Sequence, residues 1–167
     1  MTRSLYLTMS AAPAPGAPVP DLVRLLQERG WSLTVLSTPT GARFHDLDHV
    51  ASLTGEPARV EFRRPGTGRS LPPPDVLLAC PWSFNSTNKA ALGLADNFAV
   101  ALVCEMLGRG VTTVIVPKTG AALAAHPAFE RSLSTLASIP GATILYDADR
   151  PFPSWETIAD QVEVAAG

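Results

Sequence analysis

Apolar residues fall along this chain in two kinds of run, and their alternation predicts the architecture. Ser4-Leu5-Tyr6-Leu7-Thr8-Met9 reads as a strand, short and rich in β-forming residues, as do WSLTVLS at 31–37, the segment Ala58 to Phe62, TTVIVP at 112–117 and ATILY at 142–146. In Asp75-Val76-Leu77-Leu78-Ala79 every position after the aspartate is apolar, the pattern of a parallel strand buried on both faces. From Asp21 to Arg29 the period lengthens to that of a helix: Leu22, Val23, Leu25 and Leu26 face inward, Arg24, Gln27, Glu28 and Arg29 outward, and Gly30 stands where a C-cap belongs. Phe98 to Leu107 is apolar almost throughout, with Glu105 its lone charge, so burial on two sides is expected, the second against another subunit. Another helix ends near Leu136. Trp155, Ile158, Val162 and Val164 recur at near-helical intervals in a tail, 148–167, expected to pack back on the rest. The order β-α-β-α-β-β-α-α-β-α-β-α predicts α/β class: one domain over 1–167, a three-layer α/β/α sandwich on a Rossmann-like parallel sheet.

The stretch from Cys80 to Asn97, CPWSFNSTNKAALGLADN, opens where the buried strand ends. Ser83, Asn85 and Ser86 suit a helix start, Ala90, Ala91 and Leu94 recur at helical intervals, and Asp96-Asn97 interrupts them. Ligands of open α/β sheets bind at such strand-to-helix junctions, where free N–H groups and the positive end of the helix dipole face the crevice. A dinucleotide is disfavoured, because no G-x-G-x-x-G follows the first strand and no acidic residue ends the second.

This stretch resembles the P-x-S-x-N-T and G-[IL]-x-D-N segments of the flavoprotein family that includes phosphopantothenoylcysteine decarboxylase and the lantibiotic-type peptidyl-cysteine decarboxylases. The matching residues are Pro81, Ser83, Asn85, Lys89, Gly93, Leu94, Asp96 and Asn97, with Ser86 and Thr87 near the family's threonine. The resemblance implies FMN as cofactor, a flavin site built at a subunit contact, and a homo-oligomer based on trimers. It implies phosphate-side positions at Ser10 and Ala11 and at the hydroxyl-bearing turn of Thr38 and Thr40, with Phe44 packing near the ribityl chain or ring. Ser83 and the backbone of Cys80, Pro81 and Trp82 would line the isoalloxazine, with Trp82 stacking, Asn85 would orient an oxygen of substrate or flavin, and Gly93 and Asp96 complete the cofactor set.

Three departures bear on activity. The family's glycine before the first-strand serine is Met9 here, and the loop runs on as the proline-rich PAPGAPVP. The family's decarboxylase histidine falls near Thr67, yet no histidine lies between His49 and Asp75. The family's P-x-M-N, whose asparagine grips substrate, is Pro117-Lys118-Thr119-Gly120. No catalytic residue is carried over. The expected activity is an FMN-dependent redox enzyme acting on a small molecule or modified peptide, not a standard cysteine decarboxylase. A non-catalytic flavin-binding or regulatory protein is the alternative, and decarboxylation with His45 or His126 as substitute base ranks below both.

Composition narrows the classes without choosing among them. The 167 residues are 46% hydrophobic and 17% charged with a net charge of -2, so nothing attracts nucleic acid or an anionic membrane. No apolar run reaches membrane-spanning length and no secretory signal opens the chain, which points to the cytoplasm. Cys80 and Cys104 form no disulfide or metal pattern. His45 and His49 have the spacing of a shared helix face, but a third ligand is missing, and both read as solvated. Arg63, Arg64 and Arg69 in a Gly/Pro loop, and Lys118 at a strand end, are candidates to meet an anion.

Overall fold

The computed structural model describes residues 2–14 and 16–167, so Pro15 of the proline-rich loop lies outside the described residues. Five strands, β1 (Arg3–Met9), β2 (Trp31–Ser37), β3 (Val76–Trp82), β4 (Thr113–Pro117) and β5 (Ala142–Ile144), form one parallel sheet in the order β2-β1-β3-β4-β5. Side chains alternate across each strand, and the alternation divides the core in two. Leu5, Leu7, Met9, Val76, Leu78 and Cys80 point to one face, where α1 (Val19–Glu28), α2 (Leu47–Thr54) and α7 (Trp155–Ala166) cover them. Tyr6, Leu77 and Ala79 point to the other, under α3 (Phe84–Leu92), α4 (Phe98–Gly108) and α6 (Pro127–Ala137). A short α5 (Ala121–Ala124) precedes α6. The three-layer α/β/α sandwich is therefore present.

Several elements differ from expectation, each for a local reason. The segment from Ala58 to Phe62 is not a strand: only Arg59 bridges β2, its N–H donating to Val35 O and its O accepting from Ser37 N, while Glu61 and Phe62 stay exposed. The contact covers part of the sheet's free edge without lengthening it. β3 runs three residues beyond Ala79, through Trp82, so Cys80, Pro81 and Trp82 are strand residues rather than the start of a loop. α3 stops at Leu92 because Gly93 takes the left-handed φ of 70°, which leaves Leu94 outside the helix and exposed. His45 and His49 do not share a helix face, since Asp46 caps α2 between them. His45 is half-buried with Nε2 2.9 Å from Ser10 O, and His49 meets Arg24 Nη2 at 2.7 Å, so neither is simply solvated. Within this chain α4 buries Ala99, Val100, Leu102, Val103, Met106 and Leu107, as its apolar run predicts, and leaves Ala101 and Cys104 half-buried and Glu105 exposed.

The stretch 148–167 contributes α7, whose Trp155, Ile158, Ala159 and Val162 enter the core. A polar cluster ties it to the amino ends of the strands. Arg3 Nη1 and Nη2 donate to the Glu163 carboxylate at 2.5 and 3.1 Å, Trp31 Nε1 donates to the same carboxylate at 2.7 Å, and the Arg3 guanidinium lies 4.2 Å over the Trp31 ring. The Arg3 hydrogen bond, aided by Trp31, holds the Glu163 carboxyl below its ordinary value of 4.5. A depressed carboxyl contributes stability above its unfolded value and loses it as pH falls through the folded one. Wild type is thus expected to melt above Glu163→Gln near neutrality, with the difference vanishing as pH falls below 4.5. Paired thermal melts across that range check this, and a difference independent of pH would disprove it.

Candidate functional site

The chain passes from β1 outward to β2 and then returns to β3 on the other side of β1, so the loops leaving β1 and β3 diverge. Open α/β sheets form their ligand crevice at this switch point, beyond the carboxyl ends of the strands. A cleft of about 770 Å³ lies there. Ala11, Ala12 and Pro13 after β1, Thr38 to Thr40 after β2, and Ser83 to Ser86 after β3 form three walls. Lys89, Asp96 and Asn97, and Lys118 to Gly120 after β4, close the remainder.

The walls are locked together at their base. Ser10 N–H and Oγ–H both reach Pro81 O, at 3.1 and 3.2 Å, and Ser10 Oγ accepts from Ser83 N at 2.7 Å. Thr38 N donates to Met9 O at 3.0 Å, and Thr38 Oγ1 accepts from Gly41 N at 2.9 Å. Gly41 is tightly enclosed: a Cβ there would lie 2.8 Å from both Ser37 Oγ and Thr38 Oγ1 and 2.9 Å from the Ser10 carbonyl carbon. Only a residue without a side chain lets the β1 and β2 loops approach this closely.

What remains free faces the cleft. Thr40 precedes the 3₁₀ turn Gly41–Arg43 but its side chain makes no capping bond, because Thr38 Oγ1 takes Gly41 N–H, Thr38 O takes Ala42 N–H and the Thr40 carbonyl takes Arg43 N–H. At the start of α3, Ser83 Oγ accepts from Ser86 N at 3.2 Å, and neither Phe84 nor Asn85 N–H has a protein acceptor among the described residues. The Asn85 side chain is exposed and likewise unengaged among those residues. Unpaired amides at a helix amino end favour anions, through both hydrogen bonding and the helix dipole. Lys89 pairs with Asp96 at 2.6 Å across the opening, and that lysine holds the Asp96 carboxyl below its usual range.

Of the positions singled out in the sequence, Ala11, Thr38, Thr40, Ser83, Asn85 and Asp96 meet in this cleft. Ser86, Lys89, Asn97 and Lys118 line it as well, and the remaining positions lie elsewhere. Ser10 is fully buried and its hydroxyl is spent on the wall. Cys80, Pro81 and Trp82 are enclosed in β3; Pro81 O is taken by Ser10 and Trp82 O by Lys118 N at 2.8 Å. The Trp82 ring is 0% exposed within the core under α3 and α4, so it offers no face for stacking in the cleft. Burial also raises the Cys80 thiol far above its usual range, removing it as a nucleophile. Phe44 is 51% exposed outside the cleft, and Gly93 caps the far end of α3. His126 is a cap, its Nδ1 accepting from Ala128 N at 3.1 Å. Gly41 and Thr119 were not among the predicted site residues; the first had a signal, a glycine just beyond two hydroxyl residues, and the second had none.

An open parallel sheet with a switch-point cleft walled by free helix-start amides and hydroxyls is an α/β arrangement whose donors suit an anion. More particularly, the chain belongs to the Flavoprotein family, whose sequence model matches residues 4–166. No curated protein matches it. Among solved structures it is similar in fold to TvaF, an FMN-dependent cysteine decarboxylase from thioviridamide biosynthesis, with a TM-score of 0.79, 18% identity and 99% of each chain covered. The cypemycin decarboxylase CypD superposes with a TM-score of 0.76 at 17% identity, covering 98% of this chain and 93% of its own. HAL3 from Cryptococcus neoformans gives 0.73 at 18% identity, covering 98% and 96%. No helix among the described residues is long and apolar enough to cross a membrane.

Proposed function

We propose that this flavoprotein binds FMN in the switch-point cleft and uses it as a redox enzyme on a small molecule or modified peptide. The observation that carries the reading is the free donor set around Thr40, Phe84 and Asn85, in a cleft of about 770 Å³. That volume lies within the range of small-molecule and cofactor sites, and hydroxyl plus helix-start amides are the donor chemistry a phosphate requires. Thr40 and the first turn of α3 would hold the phosphate, while Ala11, Ala12 and Pro13 provide an apolar wall for the rest of the group. Bound there, the flavin supplies the electron-transfer chemistry, and the protein supplies position and electrostatics. Asn85, with donor and acceptor both unengaged, orients an oxygen of the cofactor or its reaction partner. The Lys89–Asp96 pair narrows the opening and limits water.

The absorption spectrum of the purified protein, with release of any yellow chromophore, tests this first. Stoichiometric FMN supports it; a colourless protein that also fails to take up added FMN overturns it. Thr40→Ala and Asn85→Ala are each expected to weaken FMN binding about 10-fold, the loss of one hydrogen bond to a charged or strongly polar group. Fluorescence titration of the released and reconstituted protein reads this directly. Turnover of the reduced flavin with candidate acceptors separates an enzyme from a carrier.

We further propose a cytoplasmic homo-oligomer, with the trimer as its unit. Exposed Phe62, Leu92 and Leu94 near the start of α4 supply apolar surface for a second copy. Light scattering of the purified protein gives the number of subunits.

A further inference from the structure

A second cavity, of about 1070 Å³, opens between α5, α6 and the segment that joins β5 to α7. Lys118 and Thr119 line both it and the first cleft, so these two residues form the shared wall. An aromatic row runs across the same boundary: Phe84 of the first cleft stacks on Phe129 of the second at 5.9 Å, and Phe129 meets Tyr146 edge-on at 5.2 Å. Phe152 completes an apolar lining.

The wall carries two polar groups with nothing to satisfy them. Lys118 is half-buried, and its ammonium has neither an ion pair nor a hydrogen bond among the described residues. Thr119 Oγ1 is buried without a partner. The other charges of the cavity do not answer Lys118: Asp147 is paired with Arg150 at 3.3 Å, and Glu130 is exposed. A half-buried ammonium and, on the next residue, an orphaned hydroxyl, both lining a cavity with aromatic walls, call for an anion with an apolar body. One ammonium and one hydroxyl match the two oxygens of a carboxylate, whereas a phosphate asks for more donors.

We infer that the second cavity takes an aromatic or long-chain carboxylic acid, its carboxylate on Lys118 and Thr119 and its apolar body along the half-buried Tyr146 and Phe152, with the buried Phe129 behind them. This names the class of substrate for the flavin-dependent reading above and rests on it for the reaction, though not for the binding. The acid group then sits on the wall of the flavin cleft, and the groove holds the part of the molecule remote from the chemistry.

The test is calorimetric titration of the purified protein, its FMN content measured in the same sample, with 4-phenylbutyrate and with its uncharged primary amide. The acid is expected to bind at least ~10-fold tighter than the amide, and Lys118→Met to weaken the acid about 10- to 100-fold while leaving the amide nearly unchanged. Equal binding of acid and amide, an unaltered acid affinity in Lys118→Met, or no binding of either ligand to wild type overturns the assignment. Should Lys118→Met lose both ligands, Thr119→Val decides: selective weakening of the acid supports the site, and no selective effect overturns it. Acid selectivity in a protein that takes no FMN would leave this site standing and sink the flavin reading. FMN-loaded protein indifferent to the acid would do the reverse.

Discussion

Trp82→Ala is expected to destabilise the protein by about 3–5 kcal/mol, the cost of emptying a fully buried aromatic site. Trp82 is the largest fully buried side chain, packed with Leu77, Ala79 and the inner face of α4. The damage should extend to both proposed ligand sites, because the backbone of the same residue holds Lys118 N–H and because β3 ends there. Urea denaturation with FMN retention measured in parallel reads both effects. A loss below about 1 kcal/mol would mean the indole is not a core element. Trp82→Phe makes a sharper comparison. The indole Nε1 is buried without an acceptor, so removing it relieves an unsatisfied donor and offsets part of the lost volume.

The second large effect is expected at Gly41. A methyl group there would stand 2.8 Å from two hydroxyl oxygens and 2.9 Å from the Ser10 main chain. The hydroxyls can rotate, but the main chain of the β1 loop must move. Gly41→Ala should therefore cost about 1–3 kcal/mol as an overpacked site and lower FMN retention more than Thr40→Ala does, since it displaces two walls at once. Retention equal to wild type would show that the β1 loop is not part of the cofactor's seat.

Much of this molecule was legible from the apolar runs, because a parallel sheet buried on both faces leaves near-continuous hydrophobic strands, as at Leu77 and Leu78. The position of the cleft was legible too, in the polar residues that follow those strands. The orientation of individual side chains was not. Ser10 and Thr40 look equivalent in sequence, each a hydroxyl beyond a strand, yet Ser10 is consumed by Pro81 and Ser83 while Thr40 is left free because Thr38 caps the turn. The stacking role expected of Trp82 fails because nothing in the sequence says whether β3 ends at Ala79 or three residues later, and each added residue reverses the face. Ala58 to Phe62 has strand composition but only one residue, Arg59, within reach of β2. The shared wall at Lys118 and Thr119 depends on α5, α6 and the β5–α7 segment coming together, a long-range arrangement to which no local pattern corresponds.

Lys118 is anchored through its main chain, N–H to Trp82 O at 2.8 Å, with no described side-chain bond of its own. The fold thus fixes where residue 118 sits while leaving open what it is. A saturation library at this position should yield mostly folded, flavin-retaining proteins that differ in the ligands they accept, making 118 a point at which selection can redirect chemistry without rebuilding the scaffold.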